Sequence, residues 1–123
     1  MIVVAIVTDL ILASRIEEAA RRAGAEYIRV DDPGALPSPD GVELLLVDWS
    51  ARRPGWAETM RAWSAVAPGA PPRLILFGPH TDLDAHAAAR AEGLGPMWAR
   101  SKLVAELPVL LALRAPAREW ARH

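Results

Sequence analysis

Seven residues constrain this chain more than any others: Val42-Glu43-Leu44-Leu45-Leu46-Val47-Asp48, an apolar run that stops at a carboxylate. Leu44 to Val47 shows no polar alternation, so both faces of the segment must be covered, as in a central strand of a parallel sheet. Trp49-Ser50-Ala51-Arg52-Arg53-Pro54-Gly55 cannot continue that strand, which leaves Asp48 at its carboxyl end. Ligand crevices of open α/β sheets lie outside the carboxyl ends of the strands. Asp48 is therefore the first place to look for chemistry.

The remaining elements follow from the same pattern reading. Ile2 to Val7 is β-branched at five of its six positions and ends at Thr8-Asp9, which predicts a buried first strand. A helix is expected from about Leu10 to Ala23, with Leu12, Ile16, Ala19, Ala20 and Ala23 inward and Glu17, Glu18, Arg21 and Arg22 pairing across its outer turns. Gly24 suits the residue that closes it. Ala25 to Val30 is a second strand. The next stretch, Asp31 to Gly41, carries three prolines and two glycines, which exclude a regular helix beyond one turn around Gly34 to Leu36.

After the Asp48 strand, Trp56, Met60, Trp63 and Val66 form a core-facing helical stripe that Pro68-Gly69 ends. Arg73 to Phe77 is a fourth strand running into Gly78-Pro79-His80. Thr81 and Asp84 have the spacing of a capping box, and that helix stops at Gly93. Met97-Trp98-Ala99 is a short fifth strand. Ser101 is placed to cap a last helix with Leu103, Val104, Leu107, Leu110 and Leu111 inward, and Pro108 is expected to kink or break it. The domain is read as residues 1–113, with a polar tail 114–123 around Trp120. Alternating strands and helices imply a single three-layer α/β sandwich, flavodoxin-like, with strand order 2-1-3-4-5 and the helix after strand two shortened or missing.

Composition narrows the function classes. At 123 residues the chain fits one domain. Fourteen basic residues against fifteen acidic give a net charge of −1, without the basic excess that nucleic-acid binding requires. The absence of cysteine excludes disulfides, thiolate nucleophiles and Cys-ligated zinc. Asp9 interrupts the first apolar run well short of the ~20 residues of a membrane span. A cytoplasmic location, no membrane and no nucleic acid are expected.

A five-stranded (βα)5 chain of this length, with carboxylates ending strands one and three, resembles the response-regulator receiver domain over roughly Ile2 to Leu113. The resemblance implies a role in bacterial signalling. It also implies that Asp48 matches the phospho-acceptor and Asp9 one member of the acidic pair that holds Mg²⁺. The other member falls on neutral Thr8. The strand-four Ser/Thr falls on Gly78, or on Phe77 with a one-residue slip, and the strand-five Lys-Pro falls on Arg100-Ser101. Phosphoryl transfer needs a positioned nucleophilic oxygen, a hard divalent cation on oxygen ligands and further cations. Here architecture is kept and the chemical set is depleted, since a forked guanidinium does not simply replace an ammonium. The expectation is a stand-alone pseudo-receiver, not an enzyme and without cofactor: a phosphorylation-independent protein-interaction module.

Other readings stand beside it. Asp48 either accepts backbone N–H groups from the following loop and pairs with Arg100, or it is phosphorylated with Mg²⁺ between Asp9 and Asp48. A third possibility is a small-ligand or enzymatic flavodoxin-like domain using a crevice at Asp9, Asp48, Trp49 and His80, with Trp49 and His80 at its rim. It lacks a recognisable nucleophile–base pair. His80, Asp82, Asp84 and His86 match no zinc spacing, and the two aspartates suit a helix N-terminus. Trp98 and Trp120 mark a possible homodimer face built from the helix before strand five, strand five and the last helix.

Overall fold

In the computed structural model, which describes residues 1–112, the N-terminal β-branched run forms strand β1 (Ile2–Ile6). Helix α1 (Leu10–Arg22) follows, then β2 (Glu26–Val30), β3 (Val42–Asp48), α2 (Trp56–Ala65), β4 (Arg73–Gly78), α3 (Leu83–Ala91), β5 (Met97–Ala99) and α4 (Arg100–Ala112). The sheet is parallel throughout, in the order β2-β1-β3-β4-β5. The tail around Trp120 lies outside the described residues.

The unalternating residues of β1 and β3 divide between two cores. Val3, Ala5, Val7, Leu44, Leu46 and Phe77 pack under Leu12 and Ile16 of α1 and Leu103 and Leu107 of α4. Val4, Ile6, Leu45, Val47 and Leu76 pack under Trp56 and Met60 of α2 and Ala85 and Ala89 of α3. Each fully buried aliphatic side chain contributes about 1.5–3 kcal/mol relative to exposure. Like β1, central β3 is covered on both faces, and Asp48 is its last residue.

No helix stands between β2 and β3. One 3-10 turn, Pro33–Ala35, takes its place, started by Asp32, whose Oδ1 accepts from Gly34 N at 2.7 Å. Large side chains of α2 complete the cover that a helix would give. Trp56 is buried, and half-buried Trp63 donates from Nε1 to Pro37 O at 2.6 Å, tying the proline-rich loop to the helix.

Several local expectations are corrected. Val66 does not join the stripe: α2 ends at Ala65 and Val66 is 70 % exposed. Ala23 is exposed because it already lies past the last helical residue, at the C-cap, while Gly24 takes the left-handed turn at φ 72°. Thr81 is not the cap of α3; Asp82 is, its Oδ1 accepting from Ala85 N at 3.1 Å. Ser101 sits inside the first turn of α4, which starts directly at Arg100, and α4 continues through Pro108 without a break. A proline costs a helix one hydrogen bond and some crowding. Here Leu103, Leu107, Leu110 and Leu111 anchor the helix on both sides of it.

Tyr27, on edge strand β2, has a buried hydroxyl with no hydrogen-bond partner. Burial, the main cause, raises its pKa because the phenolate is disfavoured; Glu17 adds to this and Arg29 opposes it. A raised folded-state pKa means that its stabilising share is intact below the unfolded value of about 10 and is lost as pH rises through the folded value. Tyr27→Phe should therefore be neutral or slightly stabilising at pH 7 and should flatten the alkaline loss of stability above about pH 10. Urea midpoints at pH 7 and at alkaline pH check this.

Candidate functional site

Four of the five strands run into an aspartate that caps the turn beyond them. After β1, Asp9 Oδ1 accepts from Ile11 N at 3.0 Å and Leu12 N at 3.3 Å and starts α1. After β2, Asp32 caps the 3-10 turn, and after β4, Asp82 caps α3. At the end of β3, Asp48 caps a second 3-10 turn, Trp49–Ala51. Short acceptors at N-caps satisfy amides that the helix leaves unpaired. Much of the acidity at this rim is thus spent on local structure.

Asp48 differs from the others in being buried, at 4 % exposure. Its Oδ1 accepts from Ser50 N at 3.2 Å and from Ser50 Oγ at 2.6 Å. Its Oδ2 faces Arg100 Nη2 at 3.6 Å. Arg100 is partly open to solvent, while its Nε is buried without a partner. Both parts of the structural reading of Asp48 are realised here: amide acceptance from the following loop and a pairing with Arg100.

Ser50 escaped the sequence reading. Its signal is the Asp-x-Ser spacing, which lets a carboxylate take the amide and the hydroxyl two residues on. It lies beside Gly78. A Cβ at Gly78 would stand 3.4 Å from Ser50 Cβ and 3.0 Å from Met97 Sδ, so these two side chains occupy the space that a side chain on β4 would need. Ser50 and Gly78 are a matched pair, and the hydroxyl at this site comes from the loop after β3 instead of from β4.

The structure places the other expected residues as follows. Register pairs Ile6 of β1 with Val47 of β3, so Asp9 and Asp48 follow the ends of adjacent strands. Thr8 is exposed. Trp49 is a correction: it is not at a crevice rim but 2 % exposed in the α2–α3 core, its Nε1 donating to Ala85 O at 3.1 Å. Trp49 continues the face of Leu45 and Val47 into that core, and Arg52 lies over its ring at 5.6 Å. His80 is exposed, and its carbonyl lies 3.2 Å from His86 Nε2. Trp98 is half-buried against the α1–α4 core, and Lys102 Nζ lies 4.7 Å above its ring.

The donor set does not fit Mg²⁺. That ion demands several hard oxygen ligands in octahedral array. Asp9 and Asp48 each commit an oxygen to a cap, and the second oxygen of Asp48 faces a guanidinium. Among the described residues no group of three acidic, His or Cys side chains is gathered for a metal.

No protein-family model matches the chain, and no curated protein matches its sequence. Among solved structures it is similar to the crystal structure of a response regulator receiver domain protein from Clostridium thermocellum, with a TM-score of 0.59 and 16 % identity. The match covers 98 % of this chain and 97 % of that one. The fold is that of a receiver domain, with the helix between β2 and β3 replaced by a loop. Among the described residues no helix is long and apolar enough to cross a membrane.

Proposed function

We propose that this protein is a pseudo-receiver: a signalling module that contacts a protein partner independently of phosphorylation and performs no catalytic turnover. The observation that carries this is the state of Asp48. Both oxygens of the would-be nucleophile are engaged, by Ser50 and by Arg100, and Gly78 provides no β4 hydroxyl. Phosphoryl transfer relies on positioned cations and a free nucleophilic oxygen. The carboxylate here instead holds together the end of β3, the turn after it and the start of α4.

Incubation with Mg²⁺ and acetyl phosphate tests this by intact mass, and Mg²⁺ with beryllofluoride tests it by tryptophan fluorescence. Unchanged mass and unchanged emission are expected. A saturable response that disappears in Asp48→Ala establishes a working phospho-acceptor and ends the pseudo-receiver reading.

The partner surface we favour is the face of α3, β5 and α4 around Trp98, used between two copies of the chain. Val109 of α4 is 53 % exposed. Charges at the centre of an interface are unfavourable unless paired. Val109→Glu should therefore shift the sedimentation coefficient from dimer to monomer, and a wild-type chain already monomeric at high concentration removes this face from the proposal.

A further inference from the structure

Strand β2 is an edge of the sheet, paired only with β1. Two hydrogen bonds at the ends of that ladder decide which of its backbone groups face outward. Glu26 N donates to Met1 O at 2.8 Å, and Val7 N donates to Val30 O at 3.3 Å. Successive residues of a strand turn their N–H and C=O to opposite sides, so Glu26, Ile28 and Val30 bond toward β1. Tyr27 and Arg29 turn theirs away. Among the described residues those four groups have no backbone partner.

Strand edges are ordinarily blunted by proline, lysine, a bulge or a covering element. Glu26–Val30 contains neither proline nor lysine, and its register with β1 runs without a shift. The helix that would flank it on the α2 side is replaced by the Pro33–Ala35 turn, and Ile28 and Val30 are only half-buried.

The edge matches a second copy of itself in one register. An antiparallel pair centred on Ile28 sets Tyr27 opposite Arg29 of the second copy, and Arg29 opposite its Tyr27. Each such pair exchanges both N–H···O bonds, so all four outward groups of each strand are satisfied. Ile28 meets its own symmetry copy at the closer, non-hydrogen-bonded position, where apolar side chains support each other. Centring on Arg29 would set two guanidinium groups directly opposite, which repel. Centring on Tyr27 would set Arg29 opposite Ala25, whose N–H is already given to Ala20 O at 2.8 Å. Charge favours the same register: Glu17 of α1 acts on the Tyr27 hydroxyl, so an arginine arriving opposite Tyr27 comes up on the side of a carboxylate.

We propose that the β2 edges of two copies pair antiparallel about a two-fold axis at Ile28, joining their sheets into one. β2 and β5 are opposite edges, so this contact is independent of the face around Trp98 and leaves it open. A contact this small is weak and forms at higher concentrations than a full-sized interface.

The full chain carrying Val109→Glu silences the other face and isolates this one. The Tyr27 and Arg29 amides should exchange their hydrogens more slowly as protein concentration rises into the millimolar range, while the Ile28 amide, bonded to β1, stays slow throughout. The chain has no cysteine, so Ile28→Cys places a single thiol on the axis, where opposed Cα atoms lie within disulfide range. With oxidised glutathione as oxidant, Ile28→Cys should give a disulfide-linked dimer. Glu26→Cys, opposite Val30 of the second copy, should stay monomeric alone and link when mixed with Val30→Cys. Tyr27 and Arg29 exchange rates that do not change with concentration overturn the proposal. So does a Glu26→Cys chain that links to itself as fast as Ile28→Cys, which marks random collision or another register.

Discussion

Trp49→Ala should be the most damaging substitution next to the candidate site, costing about 3–5 kcal/mol and lowering the melting temperature by roughly 10–20 °C. Trp49 is buried among Trp56, Ala57, Met60, Ala85 and Ala89, and its loss leaves a void where β3, α2 and α3 meet. Trp49→Phe isolates the polar part. It keeps most of the apolar volume and drops the Nε1 bond to Ala85 O, for about 1 kcal/mol plus a smaller packing loss. Thermal unfolding of the two variants checks both figures. An alanine variant as stable as wild type would return Trp49 to the solvent-facing position that its place beside Asp48 first indicated.

That reversal shows where sequence reasoning reached and where it stopped. The strands were legible because β1 and β3 are unalternating and apolar, a pattern that only a sheet covered on both faces accommodates. β3 and β5 occur over the expected residues, and the strand order is the expected one. The loop replacing a helix after β2 was legible from its prolines. The burial of Trp49 was overlooked although alternation from Leu45 and Val47 already points it to the α2–α3 face, because the chain was expected to leave the sheet's cover at Asp48. Capping choices failed for a local reason: Thr81 and Asp82 are both good caps, and the turn Pro79–Asp82 decides between them. Pro108 was over-weighted, since packing of the leucines around it outweighs one lost hydrogen bond.

At the site itself, the pairing of Asp48 with Arg100 was readable, because both fall at strand ends that the topology brings together. The contribution of Ser50 was not. Its side chain lies against Gly78, twenty-eight residues away, and no local pattern links the two positions.

Gly78→Thr tests that contact. A threonine on β4 adds a hydroxyl beside Asp48, but its Cβ meets Met97 Sδ at 3.0 Å and Ser50 Cβ at 3.4 Å. The thioether end of Met97 is flexible and can yield, whereas Ser50 is held by its two bonds to Asp48. The single variant should lose about 1–3 kcal/mol, the usual cost of overpacking. In a Ser50→Gly background the same change should cost less, with a coupling of roughly 0.5–3 kcal/mol in the double-mutant cycle, since the two side chains compete for one space. Chemical denaturation of the four proteins measures that coupling. Additive losses would mean that Ser50 does not occupy the space left by Gly78, and the engaged state of Asp48 would then need a cause other than the exchange of one hydroxyl for another.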